Sequence, residues 1–222
     1  MARPPDELPL RDGKVRWTAE ALHLTALGIW TGVAAMSGGV AAVVFPATRE
    51  LAPSLPDFAA FPEARHADLA AGWIQNRVFL LADAVQFVAA FIALATLLVL
   101  IAWARLPLRR ISSAVRVLAV GMSLGLLSYS LMILGPRMQT SLSDYWEQAR
   151  AGNIQAADAH YAAFEADHPK ASNALMGTTL STIVALVSGA FSAASLGGMQ
   201  RPTPRGSPIE PPALAQRRGR DR

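Results

Sequence analysis

Residues 78–103 read VFLLADAVQFVAAFIALATLLVLIAW, and Asp83 is the one charge among them. As an α-helix this stretch is about 39 Å long, more than the roughly 30 Å hydrocarbon core of a bilayer. A soluble helix of that length would set Lys and Glu at helical spacing along one face, and none do so here. A transmembrane β-strand would alternate polar and apolar residues over about ten positions, and that pattern is also missing. Three further runs resemble it: residues 22–45, 117–134 and 171–199. The expectation is an all-α fold, an integral membrane bundle of four transmembrane helices.

Composition agrees. The chain has 222 residues, is 52% hydrophobic and only 16% charged, against about 25% charged in an average soluble domain. With no cysteine, disulfide scaffolds, thiolate metal sites and thiol nucleophiles are excluded. The first apolar run begins some twenty residues in and is too long for a cleavable signal peptide, so it is expected to stay as a helix.

Arginine and lysine set the orientation. Counted by the sides that four crossings define, 14 of the 20 fall at the two termini and the connection near Pro107. The other six (Arg49, Arg65, Arg77, Arg137, Arg150 and Lys170) lie in the two longer connections with most of the acidic residues. The positive-inside bias then places both termini in the cytoplasm of a bacterial inner (plasma) membrane, with the longer connections outside. The basic tail lacks the aromatic residues of a nucleic-acid platform, so the expected partners are the lipid bilayer and a second copy or other membrane proteins, with no nucleic acid.

Three parts are expected: a disordered N-terminus over 1–16, the membrane domain over 17–199, and a disordered basic, Pro-rich tail over 200–222. Pro46 is expected to end the first helix. Between Thr140 and Pro169 the apolar residues Leu142, Tyr145, Trp146, Ala149 and Ile154, then Ala157, Tyr161 and Phe164, recur every three or four positions. That spacing predicts an amphipathic helical connection between helices three and four, broken near Gly152 and Asn153.

Small residues fall on one face of three helices: Gly28, Gly32, Ala35 and Gly39; Gly121, Gly125, Ser128 and Gly135; and Ala174, Thr178, Ser181, Ala185, Ser188 and Ser192. Close backbone approach over small residues drives packing in lipid, so these faces, with Gly28, Gly32, Gly121 and Gly125 foremost, are expected to hold the bundle together or to form a homodimer.

Asn76, Asp83, Gln86 and Ala90 share a face of helix two. A carboxylate at membrane depth is costly and either pairs or works. Asp83 reads as a proton or cation site with Gln86 and neighbouring hydroxyls, or as half of a structural pair with Arg137 on an adjacent antiparallel helix three. His23 starts helix one, while His66, His160 and His168 lie in the outer connections. No two histidines lie within the bilayer as an intramembrane haem would need, and the outer three show no tight ligand spacing. No metal site or cofactor is expected. Phosphate-binding, nucleophile-elbow and zinc-protease motifs do not occur, and a non-enzymatic protein is expected.

Several short motifs appear in order: Leu27-Gly28-Ile29-Trp30 opening helix one and Phe45-Pro46-Ala47 closing it; Ala71-Gly72-Trp73-Ile74-Gln75-Asn76-Arg77-Val78-Phe79 opening helix two; Leu134-Gly135-Pro136-Arg137 closing helix three; and His168 to Leu175 leading into helix four. This layout resembles the domain-of-unknown-function family 4149, the transmembrane protein 205-like family, over roughly residues 20 to 180. Asn76 stands where that family tends to have glycine. The resemblance implies a four-helix multi-pass membrane protein with no agreed catalytic residues, and it marks Gly72, Phe79, Pro136, Arg137 and His168 as family positions. The functions in view are a non-enzymatic scaffold, partner subunit or small transporter; a proton- or cation-coupled carrier centred on Asp83; and a metal- or redox-handling protein using the outer histidines.

Overall fold

The computed structural model describes residues 8–197, with side chains over 13–194. The described chain is all-α. Its helices are α1 (Leu8–Leu51), α2 (His66–Ala102), α3 (Ile111–Tyr129), α4 (Gly135–Arg150) and α5 (Ile154–Gly197). A π-helical turn, Ser130–Leu134, joins α3 to α4 without a break. Two single 3₁₀ turns, Pro56–Phe58 and Glu63–Arg65, sit in the connection between α1 and α2.

Four rods result, each long and apolar enough to cross a membrane: residues 13–51, 63–102, 111–150 and 154–194. At 39 to 41 residues each is about 60 Å long, twice the hydrocarbon thickness. The surplus gathers largely at one end, here called the far end. There the apolar runs give way to α4, the first turns of α2 and α5, and the loop before α2. Phe61, Leu69, Tyr145, Ala149 and Ala157 bury a small core of their own at that end. The near end holds the α2–α3 connection.

Within the apolar part, α1 and α5 are the two inner elements. Helix α1 packs along α2 on one side and α5 on the other, while α3 packs on α5. Helix α2 presents Ala82, Ala89, Ala90 and Ala93, whose small side chains let α1 come close. The core gathers around Leu27 and Trp30, both fully buried, with Leu97, Val120, Leu127 and Ala185. Although α2 and α3 are sequential and joined by a short turn, they make few contacts with each other.

Four expectations need correction. Residues 8–16, expected to be disordered, belong to α1; residues 1–7 and 198–222, which include the whole of the expected tail, lie outside the described residues. Helix α1 runs through Pro46 to Leu51 and stops where Ala52 takes a φ of 43°. Pro169 likewise lies inside α5, so the connection and the fourth crossing are one helix. Most telling are the glycines. A Cβ added at Gly28, Gly32, Gly121 or Gly125 would meet nothing within 4 Å, so these faces do not pack the bundle. The close approaches come from α5, where a Cβ at Gly177 would lie 2.9 Å from Leu126 Cδ1 and one at Gly189 would lie 2.8 Å from Leu24 Cδ2. The small-residue face of α5 does turn inward, with Ala174, Thr178, Ala185 and Ser192 buried.

The expected break between α4 and α5 is present. Gly152 has a φ of 73°, and a Cβ there would come within 2.8 Å of Ala60 Cβ, so left-handed backbone and lack of space both select glycine. Asn153 then caps α5, its Oδ1 accepting from the Ala156 N–H at 3.3 Å.

Candidate functional site

Asp83 lies on α2 inside the apolar run, half-buried, between the buried Ala82 and the half-turn that leads to Gln86. Among the described residues it has no hydrogen-bond or ion-pair partner. Gln86 is 2% exposed and its amide likewise has no protein partner. Asn76 is half-buried two residues before the apolar run. The neighbouring Gln75 is the residue that bonds across the helix pair, its Nε2 donating to the backbone oxygen of Ser37 on α1 at 3.0 Å. Asn76, Asp83 and Gln86 therefore share one side of α2 without bonding to each other.

Arg137 is not part of this group. Its guanidinium pairs with Asp167 Oδ2 on α5 at 2.9 Å, and Lys170 donates to Asp167 Oδ1 at 2.8 Å. Two structural facts separate Arg137 from Asp83. Helix α3 packs on α5 and not on α2. The π turn at Ser130–Leu134 also inserts one extra residue before Pro136, which turns every later side chain by roughly 100° about the axis. Proline suits the position after such a turn, because it has no N–H to place in the displaced ladder. The carboxyl of Asp167 lies outside the apolar run of α5. The hydrogen bond from Lys170, joined by the charge of Arg137, holds it below the usual carboxylate range.

A second polar group, at the near end, is absent from the sequence expectations. Glu20 of α1 and Arg116 of α3 form a two-pronged pair: Nη2 to Oε2 at 2.7 Å and Nη1 to Oε1 at 3.1 Å. The Arg116 side chain is fully buried and that of Glu20 is 9% exposed. One turn along α1, His23 is fully buried; its Nδ1 lies 2.9 Å from Ala93 O and 3.0 Å from Thr96 Oγ1, both on α2. Gly189 brings the α5 backbone against the Arg116 guanidinium, and Ser192 donates to Ser112 at 3.0 Å between α5 and α3. This layer ties all four crossings together. Its sequence signal is a lone acid and a lone base, each placed just before an apolar run on helices of the same direction. Counting Arg116 only as a loop charge hides that signal.

The other histidines have separate surroundings. His66 clasps the loop before α2, with Nδ1 accepting from Leu55 N–H and Nε2 donating to Phe58 O, both at 3.1 Å. His160 lies 3.6 Å from Asp144, and His168 leans on the Phe164 ring at 5.3 Å. Among the described residues no three His, Asp or Glu side chains gather as a metal would require.

Taken with the geometry, the chain is an all-α protein whose four rods are long and apolar enough to cross a membrane, with its buried polar groups on the faces where those rods meet. Compared with protein-family models, curated proteins and solved structures, it gives no match.

Proposed function

We propose that this chain is a non-enzymatic multi-pass membrane protein that acts as a small carrier of protons or a small cation, with Asp83 as the carrying group. One observation supports this above the others: Asp83 stands in the apolar run of α2 with no ion-pair partner among the described residues. An intramembrane carboxylate is expensive to keep. A structural one would show its partner, and the cation that the sequence offered for it, Arg137, lies on another helix face and is engaged with Asp167. In this reading both termini face the cytoplasm of a bacterial inner membrane, on the 14-to-6 division of Lys and Arg, and the chain belongs with the transmembrane protein 205-like family that its motifs resemble.

A second reading, a scaffold or partner subunit, has its own support. Gly28 and Gly32 on α1 and Gly121 and Gly125 on α3 leave open backbone that another membrane helix, or a second copy, can approach. Purified protein in liposomes loaded with a pH-sensitive dye separates the two. Under an imposed membrane potential, the carrier moves protons faster than protein-free vesicles, and Asp83→Asn removes that movement while the protein stays folded. If the unaltered protein leaks no more than empty vesicles under proton, sodium and potassium gradients alike, the carrier reading fails and the scaffold takes its place.

A further inference from the structure

On α1, His23, Trp30 and Ser37 recur at seven-residue intervals, which keeps them on one side of the helix. They are 0%, 0% and 1% exposed. The side they occupy faces α2 at both ends: His23 reaches Ala93 and Thr96, and the Ser37 backbone receives Gln75. By that antiparallel register, Trp30 stands level with the part of α2 that carries Asp83 and Gln86. Trp30 also shares its core with Ala89 and Ala90, one turn from Gln86. The α1–α2 seam is therefore lined by polar groups at three successive levels, each about 10 Å from the next at 1.5 Å per residue.

Each level leaves hydrogen-bonding capacity unused. Since Ala93 O can only accept, His23 Nδ1 carries the proton, and Nε2 faces inward with no partner. The indole N–H of Trp30 has no acceptor. Gln75 spends its amide N–H on Ser37, and its Oε1 is left without a donor. Gln86, at the Trp30 level, has no protein partner for its amide. A buried polar atom without a partner costs several kcal/mol in a low-dielectric interior, and proteins usually meet this with ordered water making two to four hydrogen bonds. The missing partners are of both kinds. His23 and Gln75 need a donor, Trp30 needs an acceptor, and Gln86 takes either. Water supplies both from one atom centre, and it is the usual occupant of such sites.

We propose that the α1–α2 seam binds water at three levels: at His23 Nε2, between Trp30 Nε1 and Gln86, and at Gln75 Oε1. The middle site lies at the level of Asp83 and gives that carboxyl a hydrated neighbour inside the bundle. The water sites stand without the carrier reading; only their use as the route of a proton to Asp83 rests on it.

The test uses the full-length protein in lipid bilayers with ¹⁵N-labelled tryptophan and histidine, the Trp30 signal being assigned by its loss in Trp30→Phe. Magnetisation is transferred from water to the labelled side chains by solid-state NMR. The expected result is direct transfer to the Trp30 indole and the His23 ring, although both side chains are enclosed by protein. An indole proton of Trp30 that receives nothing from water and stays unexchanged in deuterated buffer overturns the proposal. The measurement is independent of transport. A dry Trp30 in a protein that moves protons defeats the water sites alone, and a wet Trp30 in a protein that moves none defeats the carrier alone.

Discussion

Removing either partner of the Glu20–Arg116 pair should destabilise the bundle more than any other single charge change among the described residues. The pair is bidentate at 2.7 and 3.1 Å, with side-chain exposures of 9% and 0%, so water can rescue neither member. Glu20→Leu leaves a guanidinium enclosed beside Gly189 and short of its counter-charge. The expected loss is about 3–5 kcal/mol, and Arg116→Met should lose a similar amount by stranding the carboxylate. The double variant replaces both with apolar side chains of similar length and should lose much less than the sum. For a chain of this size, the single losses correspond to a fall in melting temperature of roughly 6–20 °C. The assay is a double-mutant cycle in thermal unfolding, run in detergent and repeated in lipid nanodiscs. A third variant, Arg116→Lys, keeps the charge, gives up the two-pronged geometry and should fall between. Single losses that simply add in the double variant would refute the reasoning, since a coupled buried pair cannot behave as two independent sites.

Glycines sort by place. Gly189→Ala puts a methyl 2.8 Å from Leu24 Cδ2 and 3.4 Å from Arg116 Nε, and should cost about 1–3 kcal/mol of thermal stability, whereas Gly121→Ala, inside α3, meets nothing within 4 Å and should raise it by about 0.5–1 kcal/mol. At the far end, the Asp167 carboxyl is held below its ordinary value of 3.8 by Lys170 and Arg137. The stability it lends is therefore fully present above 3.8 and is lost as pH falls from there through the lower folded-state value. Thermal scans of the protein and of Asp167→Asn should differ at neutral pH and converge in strong acid; a constant gap at all pH values would contradict the assignment. Reporter fusions at Met1 and Arg222 should both read cytoplasmic, and an exported signal from either would defeat the orientation.

How far the sequence could be read depended on whether the physical signal was local. Length and apolarity act within a segment, so residues 78–103 and the three companion runs revealed their rods without reference to one another. The amphipathic spacing from Leu142 to Phe164 and the break at Gly152 are local too. Which rods touch is a pairwise property that no single run encodes. A short connection between α2 and α3 suggested adjacency, but the alanine face of α2 receives α1, and α3 turns its own small and polar face to α5. Once that neighbour was misplaced, so was Arg137, and the π turn moved it further. The glycine stripes misled for a related reason. Spacing identifies a face where backbone can approach, but it does not say whether the approaching helix belongs to the same chain. Asp83 was legible because a carboxylate in an apolar run stands out by itself. Glu20, His23 and Arg116 were harder to see, since each lies at the margin of a run where charges are ordinary, and only their meeting in the bundle makes them unusual.

The distribution of paired and unpaired polar groups limits how such a bundle can work. At the near end Glu20, His23 and Arg116 join α1, α2 and α3, with α5 held close by Gly189. At the far end Asp167 of α5 holds Arg137 of α4, and Arg65 before α2 holds Asp158 of α5 at 2.6 Å. Both ends are bridged between helices, so rocking one half of the bundle against the other, the common route to alternating access, would have to break a buried charge pair at the near end, at about 3–5 kcal/mol for the uncompensated group. Asp83, Trp30 Nε1 and Gln75 Oε1, which have no protein partner, lie between these bridges, whereas His23 Nε2 and Arg116 Nε are unpartnered within the near-end layer itself. In the carrier reading, such a protein works inside a fixed frame: the proton or ion moves between Asp83 and bound water, oriented by the neighbouring indole and amides, while the helices keep their places. The consequence separates it from a rocking carrier. Cross-linking α1 to α3 beside Glu20 and Arg116 should stop a rocking protein and should leave transport intact if Asp83 carries its load within a fixed frame. Inactivation by that cross-link, reversed on its cleavage, would show that the near-end pair opens during the cycle and that the frame is not fixed.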